Sequence, residues 1–218
     1  LDPDETFFDD PLRMLRAARF AAQLDFNIDP AVYKAMHDNR KRLSIISAER
    51  IKEELMKLLA TSVPSLGLAR LSDTKLIDEF LPEVSELAGV EEVEGYQHKD
   101  NLNHTFAVVD NIAQYSDKPL LRLAGLLHDI AKPQTKKFLR GRGWTFDMHE
   151  HLGRKITKNI MRRLKFSNKD VLYVSELVRW HLQPIALMDK GVTDSAVRRL
   201  IVGLQDLLPD LLQLCRSD

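Results

Sequence analysis

The sequence predicts an all-α protein, and three observations support this fold class. Apolar residues recur at three- and four-residue steps, as at Leu12, Leu15 and Ala18, which is the spacing of one helix face. Strand-like alternation is almost absent, and the one exception is a short β-hairpin predicted from Phe138 to Phe146. At typical helix lengths the 218 residues accommodate about ten helices.

Composition excludes several other classes of protein. The chain has 44% hydrophobic residues and a single cysteine, Cys215, so neither a disordered chain nor a disulfide scaffold fits. The 32 basic and 32 acidic side chains cancel, which argues against binding of a polyanion by bulk charge. No apolar run approaches the ~20 residues of a membrane span and no signal peptide is evident, so we expect a cytoplasmic protein without a membrane partner. The chain begins at Leu1 rather than Met, and we expect it to be part of a longer protein.

Local signals predict where individual helices begin and end. Ser47 precedes a helical run with Glu49 in its first turn, and Ser167 precedes another, because serine side chains cap helix N-termini. Asp147 and Glu150 have the spacing of a capping box for a further helix. Helix stops are expected at Pro64, Pro82, Pro133 and Pro184.

A polar stretch divides the chain into two helical parts. Residues 90–103 are rich in charge and lack periodicity, so we predict a joint there between an N-terminal part, residues 1–90, and a C-terminal part, residues 91–218. Charge is uneven, since residues 136–165 carry ten basic side chains against Asp147 and Glu150. Such a stretch forms either solvated helix faces or a surface that binds phosphate groups.

Histidine and aspartate residues in the C-terminal part are candidates for a metal site. His128 and Asp129 are adjacent in a run from Leu120 to Lys132 that we predict to be helical, and the small residues Ala124 and Gly125 precede them. These small side chains allow another helix that carries ligands to approach closely. Single histidines supplied by the ends of separate helices are one way in which a helical bundle builds an internal metal site. The other candidates lie near predicted helix ends: His104, His149, His181 and Asp218.

The candidate ligands define the chemistry of such a site. Imidazole and carboxylate together suit Mn, Fe, Co, Ni or Zn, and a metal ion bound there lowers the pKa of water toward ~7. His149 and His151 are two positions apart and point to different sides of a helix, so we assign His149 as the ligand and His151 as structural. Each histidine taken alone has an alternative, a satisfied core or surface group. Lys132 has two readings, because it either neutralises a phosphate oxygen or pairs with a carboxylate.

The order of these residues resembles the H…HD…D signature of the HD superfamily of metal-dependent phosphohydrolases. His104 comes first, then the adjacent His128 and Asp129, then the distant Asp218. The run from Leu126 to Lys132 is close to the central motif of that superfamily. The resemblance covers about residues 95–218.

The HD resemblance implies two metal ions and a hydrolytic reaction. The divalent metals that it allows are Mn, Ni, Fe, Zn and Mg. The residues implied for the metals are His104, His128, Asp129 and Asp218 for a first ion, with His149 and His181 aiding a second. The implied catalytic residues are His128, Asp129 and Lys132. The implied activity is that of a phosphatase or cyclic phosphodiesterase on RNA ends or nucleotides, and the alternative is an HD-type scaffold without metal.

The N-terminal segment, residues 9–13, has two interpretations. The plain one is a helix start with Asp9 or Asp10 as the cap and an Asp10–Arg13 salt bridge, worth a few tenths of a kcal/mol. The other is base recognition, because a carboxylate accepts hydrogen bonds while a guanidinium donates them, and the pair presents such an edge to cytosine or adenine. Arg13, Arg16 and Arg19 also form a row at three-residue steps that suits a triphosphate or an RNA backbone.

The same segment resembles the neck of the class II tRNA nucleotidyltransferases, the CCA-adding enzymes, and of the bacterial poly(A) polymerases. Residues 8–20 are similar to their nucleotide-selecting motif, and residues 46–55 are similar to the next family motif, which steadies the neck helices. The resemblance implies that Asp10 and Arg13 read the incoming base, with Arg16 as a further nucleotide-binding residue. It implies ATP and CTP with Mg as substrates of the parent enzyme, and a tRNA or other RNA 3′ end as partner.

The parent family also predicts a limit on this chain. Nucleotide addition in that family is carried out by an N-terminal palm domain with a DxD carboxylate pair. Asp2-Pro3-Asp4 has this spacing but lies on no predicted strand, so we do not expect this chain alone to add nucleotides. Two rival functions remain: a free-standing HD nucleotide phosphohydrolase, and a metal-free module whose basic residues 136–165 bind tRNA.

Overall fold

Residues 2–187 and 193–218 are described by a computed structural model. The helices of the N-terminal part are α1 (Pro3–Asp9), α2 (Leu12–Leu24), α3 (Pro30–Asn39), α4 (Ala48–Leu59), α5 (Pro64–Asp73) and α6 (Pro82–Ser85), with 3₁₀ helices at Arg40–Ile45 and Ile77–Glu79. The helices of the C-terminal part are α7 (Asn101–Ala113), α8 (Pro119–Leu127), α9 (Lys132–Thr135), α10 (His149–Arg163), α11 (Asn168–Trp180), α12 (Gln183–Ala186), α13 (Asp194–Leu204) and α14 (Leu208–Ser217), with a 3₁₀ helix at Gln205–Leu207. Two antiparallel hairpins complete the fold: β1 (Glu92–Val93) with β2 (Tyr96–Gln97), and β3 (Lys137–Leu139) with β4 (Gly143–Thr145).

The all-α prediction is confirmed. Within the described ranges the chain forms eleven α-helices of seven residues or more, close to the expected number. The predicted hairpin is β3–β4, in which Phe138 is paired with Trp144. None of the helices in these ranges combines the length and the apolar character that a membrane span needs.

The hairpin that the sequence does not predict, β1–β2, lies in the stretch expected to be an irregular joint. Its turn residues Glu94 and Gly95 have φ angles of 51° and 80°, the left-handed conformation that favoured two-residue hairpin turns require. Both strands have only two residues, so they are too short to show an alternating pattern.

Of the helix caps predicted at Ser47, Asp147 and Ser167, two are confirmed. The side chains of Ser47 and Ser167 accept hydrogen bonds from backbone N–H groups at the starts of α4 and α11. The predicted Asp147 capping box is wrong, because the residue before α10 is Met148, whose left-handed backbone (φ 65°) leads into the helix without a side-chain cap. The start of α10 at His149 agrees with the prediction.

The helix that leads to His128 and Asp129 is shorter than predicted. α8 ends at Leu127, so the helix expected to continue to Lys132 is wrong, and both residues lie in the turn between α8 and α9. Pro133 lies in the first turn of α9, and a proline at this position is incompatible with one continuous helix. His128 and Asp129 therefore follow the end of α8 instead of lying within a longer helix, and their side chains can point toward other elements.

α7 and α8 approach closely, as the small residues of α8 predict. A Cβ atom at Gly125 would lie 2.5 Å from Ile112 Cδ1, so a larger side chain fits there only if the Ile112 side chain of α7 moves. α7 carries His104 and begins three residues before it, where the Asp100 side chain caps the helix by accepting from Asn103 N. This packing places His104 beside the end of α8.

A hydrophobic core extends through both parts of the chain. α5 packs on α7 and α4 packs on α8, and Leu58 and Leu126 belong to the same buried cluster. The buried Arg122 of α8 donates to the Leu59 and Thr61 carbonyl oxygens at 2.6 and 2.7 Å. These contacts fix the N-terminal helices against the C-terminal bundle, while the boundary near residue 90 stays a prediction.

Candidate functional site

Six side chains from separate segments converge inside the C-terminal bundle, and they are the six residues predicted as metal ligands. They are His104 from α7, His128 and Asp129 from the turn after α8, His149 from the start of α10, His181 from the end of α11 and Asp218 from the end of α14. Their nitrogen and oxygen atoms form two groups, and within each group every ligand atom lies within 4.8 Å of the others. We refer to these six residues as the His/Asp cluster.

The first group comprises His104, His128 and Asp218. Asp218 Oδ1 lies 2.8 Å from His104 Nε2 and 3.5 Å from His128 Nε2. Asp129 Oδ2 is adjacent, at 3.2 Å from His128 Nε2 and 4.0 Å from His104 Nε2. Imidazole nitrogens and carboxylate oxygens thus surround one small space, a ligand set that suits a divalent transition metal.

The second group comprises Asp129, His149 and His181. The Nε2 atoms of the two histidines lie 3.3 Å apart. Asp129 Oδ1 lies 3.3 Å from Nε2 of His149 and 3.9 Å from Nε2 of His181. The two oxygens of Asp129 therefore face different groups, so this carboxylate could contribute one ligand atom to each.

Hydrogen bonds to the backbone orient three of the imidazoles. His128, His149 and His181 each donate from Nδ1 to the carbonyl oxygen three residues earlier. The distances are 2.8 Å to Gly125, 2.7 Å to Phe146 and 2.7 Å to Val178. Because a carbonyl oxygen only accepts, Nδ1 carries a proton and Nε2 is the nitrogen that each ring turns toward the cluster, as is typical of histidines that bind metals.

The cluster perturbs the pKa values of its buried members. Burial lowers the pKa of His128, but the Asp129 and Asp218 carboxylates outweigh this effect and raise the pKa to about 10. Burial opposes ionisation of Asp129, yet the nearby imidazoles and Lys132 hold its pKa well below the usual range. Burial, together with the neighbouring charge of His128, lowers the pKa of His181 to about 4. At neutral pH, Asp129 and His181 are therefore in the forms that bind metals.

The residues present fit a divalent metal ion. His128 Nε2 is buried and makes no hydrogen bond of good geometry within the described chain, although two carboxylate oxygens lie close to it. A buried polar atom without such a bond calls for an explanation. A cation between this nitrogen and the carboxylates satisfies all of these atoms, so the His/Asp cluster could bind a metal.

One side of the His/Asp cluster is open to solvent. The side chains of His104, Lys132 and Asp218 are 21%, 21% and 18% exposed, whereas those of His128 and Asp129 are at most 2% exposed. The three exposed side chains line a cavity of about 470 Å³. Lys132 Nζ lies 2.5 Å from Asp129 Oδ2, so of its two predicted roles the ion pair with a carboxylate is present. The ammonium group also lies at the edge of the cavity.

Other features singled out by sequence lie outside the His/Asp cluster. His151, assigned as structural, is exposed and lies 3.7 Å from Glu150. Part of the basic stretch at residues 136–165 is neutralised by ion pairs with glutamates. These pairs are Lys136–Glu91, Arg140–Glu94, Arg154–Glu176 and Arg163–Glu83.

The N-terminal pair predicted to read a base lies at the start of α2. Asp10 Oδ1 accepts from Leu12 N at 3.2 Å, so the predicted cap is confirmed. The predicted Asp10–Arg13 salt bridge is wrong for the described residues, because Asp10 pairs with Arg50 at 3.5 Å and Arg13 donates to Thr6 O at 3.2 Å. α1 supplies Thr6, and the sequence analysis does not predict this helix.

The arginine row of α2 is held by a residue that the sequence analysis missed. Glu54 of α4 is 3% exposed; its Oε1 lies 3.4 Å from Arg16 Nε and its Oε2 lies 2.9 Å from Arg19 Nε. Lys57 Nζ also lies 3.4 Å from Oε1. A buried acid within residues 46–55 is therefore what steadies α2 against α4, and the resemblance of that segment to a neck-steadying motif was the available signal.

Comparisons with known proteins agree with both parts of this arrangement. The family model described as the probable RNA and SrmB-binding site of polymerase A matches residues 25–87, and the HD domain model matches residues 101–208. The A-adding tRNA nucleotidyltransferase of Deinococcus radiodurans is 33% identical over 96% of this chain and 49% of that protein. The CC-adding tRNA nucleotidyltransferase of Thermus thermophilus is 33% identical over 99% of this chain and 50% of that protein. Along nearly its whole length the chain is thus similar to tRNA nucleotidyltransferases.

Solved structures of tRNA nucleotidyltransferases share its fold. The Thermotoga maritima CCA-adding enzyme complexed with tRNA has a TM-score of 0.60 and 16% identity, covering 97% of this chain and 46% of that chain. A CCA-adding enzyme in complex with ATP has a TM-score of 0.56 and 16% identity over 97% of this chain and 45% of that chain. The chain thus spans about half the length of the curated tRNA nucleotidyltransferases that it matches. The joint predicted at residues 90–103 begins between the two matched family models.

Proposed function

We propose that this chain is the neck and HD portion of a tRNA nucleotidyltransferase. Residues 1–90 would handle the RNA 3′ end together with ATP and CTP, and residues 91–218 would hydrolyse phosphate esters. The A-adding and CC-adding relatives, and the CCA-adding enzymes solved with tRNA and with ATP, support the first role. The two family matches in one chain favour this reading over a free-standing HD phosphohydrolase.

The position of Asp129 between the two ligand groups carries the hydrolytic half of the proposal. One of its oxygens faces His128 and the other faces His149, so this carboxylate would hold two ions. Two divalent ions supply an activated water and withdraw charge from phosphate oxygens. The remaining ligands would be His104, His128 and Asp218 for one ion and His149 and His181 for the other.

Side chains and backbone groups of the chain would position the metal ligands and balance the charge of the substrate. The hydrogen bonds that Nδ1 of His128, His149 and His181 donates to backbone carbonyl oxygens keep the ligand nitrogens in place. Lys132 lines the cavity and would balance the charge of a phosphate group. The imidazole-rich ligand set favours Mn, Fe, Ni or Zn over Mg, which prefers oxygen ligands; Mg would accompany ATP and CTP in the parent enzyme.

In the neck, Asp10 and Arg13 would read the edge of the incoming base, and Arg16 would contact the nucleotide beside them. All three lie at the start of α2, where Arg13 is exposed and Glu54 orients Arg16. Saturation-transfer NMR of this chain with ATP and CTP tests this role. Arg13→Ala is expected to weaken both signals severalfold, whereas Arg140→Ala, at an exposed arginine of the β-hairpin, leaves them unchanged.

The hydrolytic proposal is tested by metal analysis and a phosphatase assay on the same preparation. Purified chain incubated with Mn, Ni, Fe or Zn and desalted is expected to retain about two metal ions. It should then release phosphate from adenosine 3′-monophosphate. His128→Ala is expected to retain at most one ion and to lose phosphate release, because Nε2 is at the centre of the first group. His37→Ala is the matched control, since His37 is 48% exposed and lies on α3.

Retained metal with no loss in His128→Ala would place the ions elsewhere and overturn the assignment. A wild-type chain that retains no metal under any of these conditions would favour the other reading, a metal-free module that binds tRNA. That module would depend on the basic side chains of residues 136–165 that are not paired with glutamates.

A further inference from the structure

One wall of the cavity beside the His/Asp cluster is formed by aromatic side chains, which hydrolysis of a phosphate ester does not itself require. The two hairpins place Tyr96, His98, Trp144 and Phe146 along it. Opposite this aromatic wall lie His104, Lys132 and Asp218. The volume of about 470 Å³ is within the range of small-molecule sites.

Contacts between the two hairpins hold the aromatic wall together. Trp144 Nε1 donates to Tyr96 O at 3.0 Å, and His98 lies edge-on to Trp144 with 5.4 Å between ring centroids. Phe138 packs against Trp144 at a centroid distance of 5.4 Å. Gly143 has a φ of 83°, and a Cβ atom there would lie 2.8 Å from Tyr96 Cδ1, so the Tyr96 ring covers the backbone of β4. The wall is therefore preformed.

The charges around the cavity favour an anion. Lys99, Lys132 and Arg142 line it. Among the described residues that line the cavity, Asp218 is the one acid, and it belongs to the His/Asp cluster. A ligand with a phosphate group at one end and a planar aromatic group at the other end matches both walls.

We propose that the aromatic wall binds the base of a nucleoside phosphate ester whose phosphate lies on the His104–Asp218 side of the cavity. This inference rests on the proposed hydrolytic function, and it assigns the side chains of that site that would bind the base. Stacking of a base on an aromatic side chain strengthens binding by roughly tenfold or more and tolerates different bases. Trp144 is then a specificity-determining residue that selects nucleotides over phosphate esters without a base.

Tryptophan fluorescence tests base binding without metal or turnover. Trp144 and Trp180 are the two tryptophans of the chain, so Trp180→Phe leaves Trp144 as the reporter. In EDTA, adenosine 3′-monophosphate is expected to quench this variant saturably, while ribose 5-phosphate binds at least tenfold more weakly. Trp144→Phe leaves Trp180, which is absent from the lining of this cavity, and its emission is expected to stay constant. Absence of quenching in the first variant, or equal quenching by the phosphate without a base, would overturn the proposal.

Free nucleotides and RNA 3′ ends both carry a base and a phosphate group, and a second titration distinguishes these two ligands. An RNA hexamer with a 3′-phosphate is compared with adenosine 3′-monophosphate on the Trp180→Phe variant. Binding of the hexamer at least tenfold more tightly identifies an RNA end as the ligand. Similar affinities identify a free nucleotide.

Kinetics of the metal-loaded chain separate a base-binding role from a structural one. Trp144→Ala is expected to raise KM for adenosine 3′-monophosphate about tenfold with little change in kcat, and to leave hydrolysis of ribose 5-phosphate unchanged. Trp144→Phe keeps an aromatic face and should restore most of the affinity. Equal loss on both substrates would show that the wall only supports the fold. If the wild-type chain binds no metal and hydrolyses neither ester, the proposed hydrolysis fails, while the fluorescence titration still decides the base site.

Discussion

Arg122 donates to the carbonyl oxygen of Leu59 at 2.6 Å, and this bond joins α8 of the C-terminal bundle to the last residue of α4. The same guanidinium reaches the Thr61 and Ser116 carbonyl oxygens at 2.7 and 2.9 Å. Arginine provides five donors in a fixed fork, so one buried side chain satisfies several carbonyl groups at the junction. The helices before residue 90 and the C-terminal bundle are therefore expected to unfold together.

Arg122→Met is expected to lower the free energy of unfolding by about 3 kcal/mol or more, because each buried carbonyl left without a donor costs about 1–3 kcal/mol. Urea unfolding followed by circular dichroism measures this loss. The wild-type chain should show a single transition, since residues on both sides of position 90 share one core. Arg140→Met is the control, because Arg140 is 89% exposed and should change stability by less than about 0.5 kcal/mol. Two separate wild-type transitions would contradict the coupling.

The features that the sequence predicts correctly depend on residue type and short spacing. Ser47 and Ser167 cap helices because a hydroxyl reaches a backbone N–H three residues later in any protein. Gly125 predicts a close helix contact because it lacks a side chain. The candidate ligands are identifiable in the same way, as His and Asp are the residue types that bind such metals.

The features that the sequence does not predict depend on contacts between distant segments. Glu54 meets Arg16 and Arg19 across 38 and 35 residues, and no local pattern names such partners. The two oxygens of Asp129 face different ligand groups because this residue lies in the turn after α8. The sequence predicts helix at this position. Arg13 bonds to Thr6 of α1, a helix that the sequence analysis omits.

Glu54→Gln is expected to destabilise the chain in a way that depends on pH. Burial raises the pKa of Glu54, but Arg19, Lys57 and Arg16 outweigh burial and hold it below its ordinary value of 4.5. A carboxyl group of this kind stabilises the fold above its unfolded-state pKa and loses this contribution as the pH falls through its folded-state pKa. The variant should therefore lose about 1–3 kcal/mol at neutral pH and approach the wild type as the pH falls below 4.5.

Thermal unfolding of both proteins between neutral and acidic pH measures this difference. Glu53→Gln is the control at the adjacent exposed position, and it should follow the wild type throughout. A Glu54→Gln deficit that stays constant down to the lowest pH would show that lost packing, rather than lost charge, is responsible.

Asp10→Ala is expected to destabilise the start of α2 by about 1 kcal/mol, the usual value of an N-terminal cap. The Asp10 carboxylate accepts from Leu12 N and pairs with Arg50, so both contacts are lost together. Chemical denaturation measures the change, and Asp9→Ala is the control because Asp9 is exposed and immediately precedes Asp10. Equal effects at the two positions would argue against Asp10 as the cap.

Metal stoichiometry is expected to distinguish a bridging carboxylate from two independent ligands. Asp129 faces both ligand groups, whereas His149 faces the second group and Asp218 the first. Native mass spectrometry of the Mn- or Ni-loaded chain should therefore show two ions in the wild type and one in either His149→Ala or Asp218→Ala. Asp129→Asn should lose both, because a neutral amide is a weak ligand for two cations. Loss of a single ion in Asp129→Asn would mean that this side chain serves one group alone, and the two sites would then bind independently.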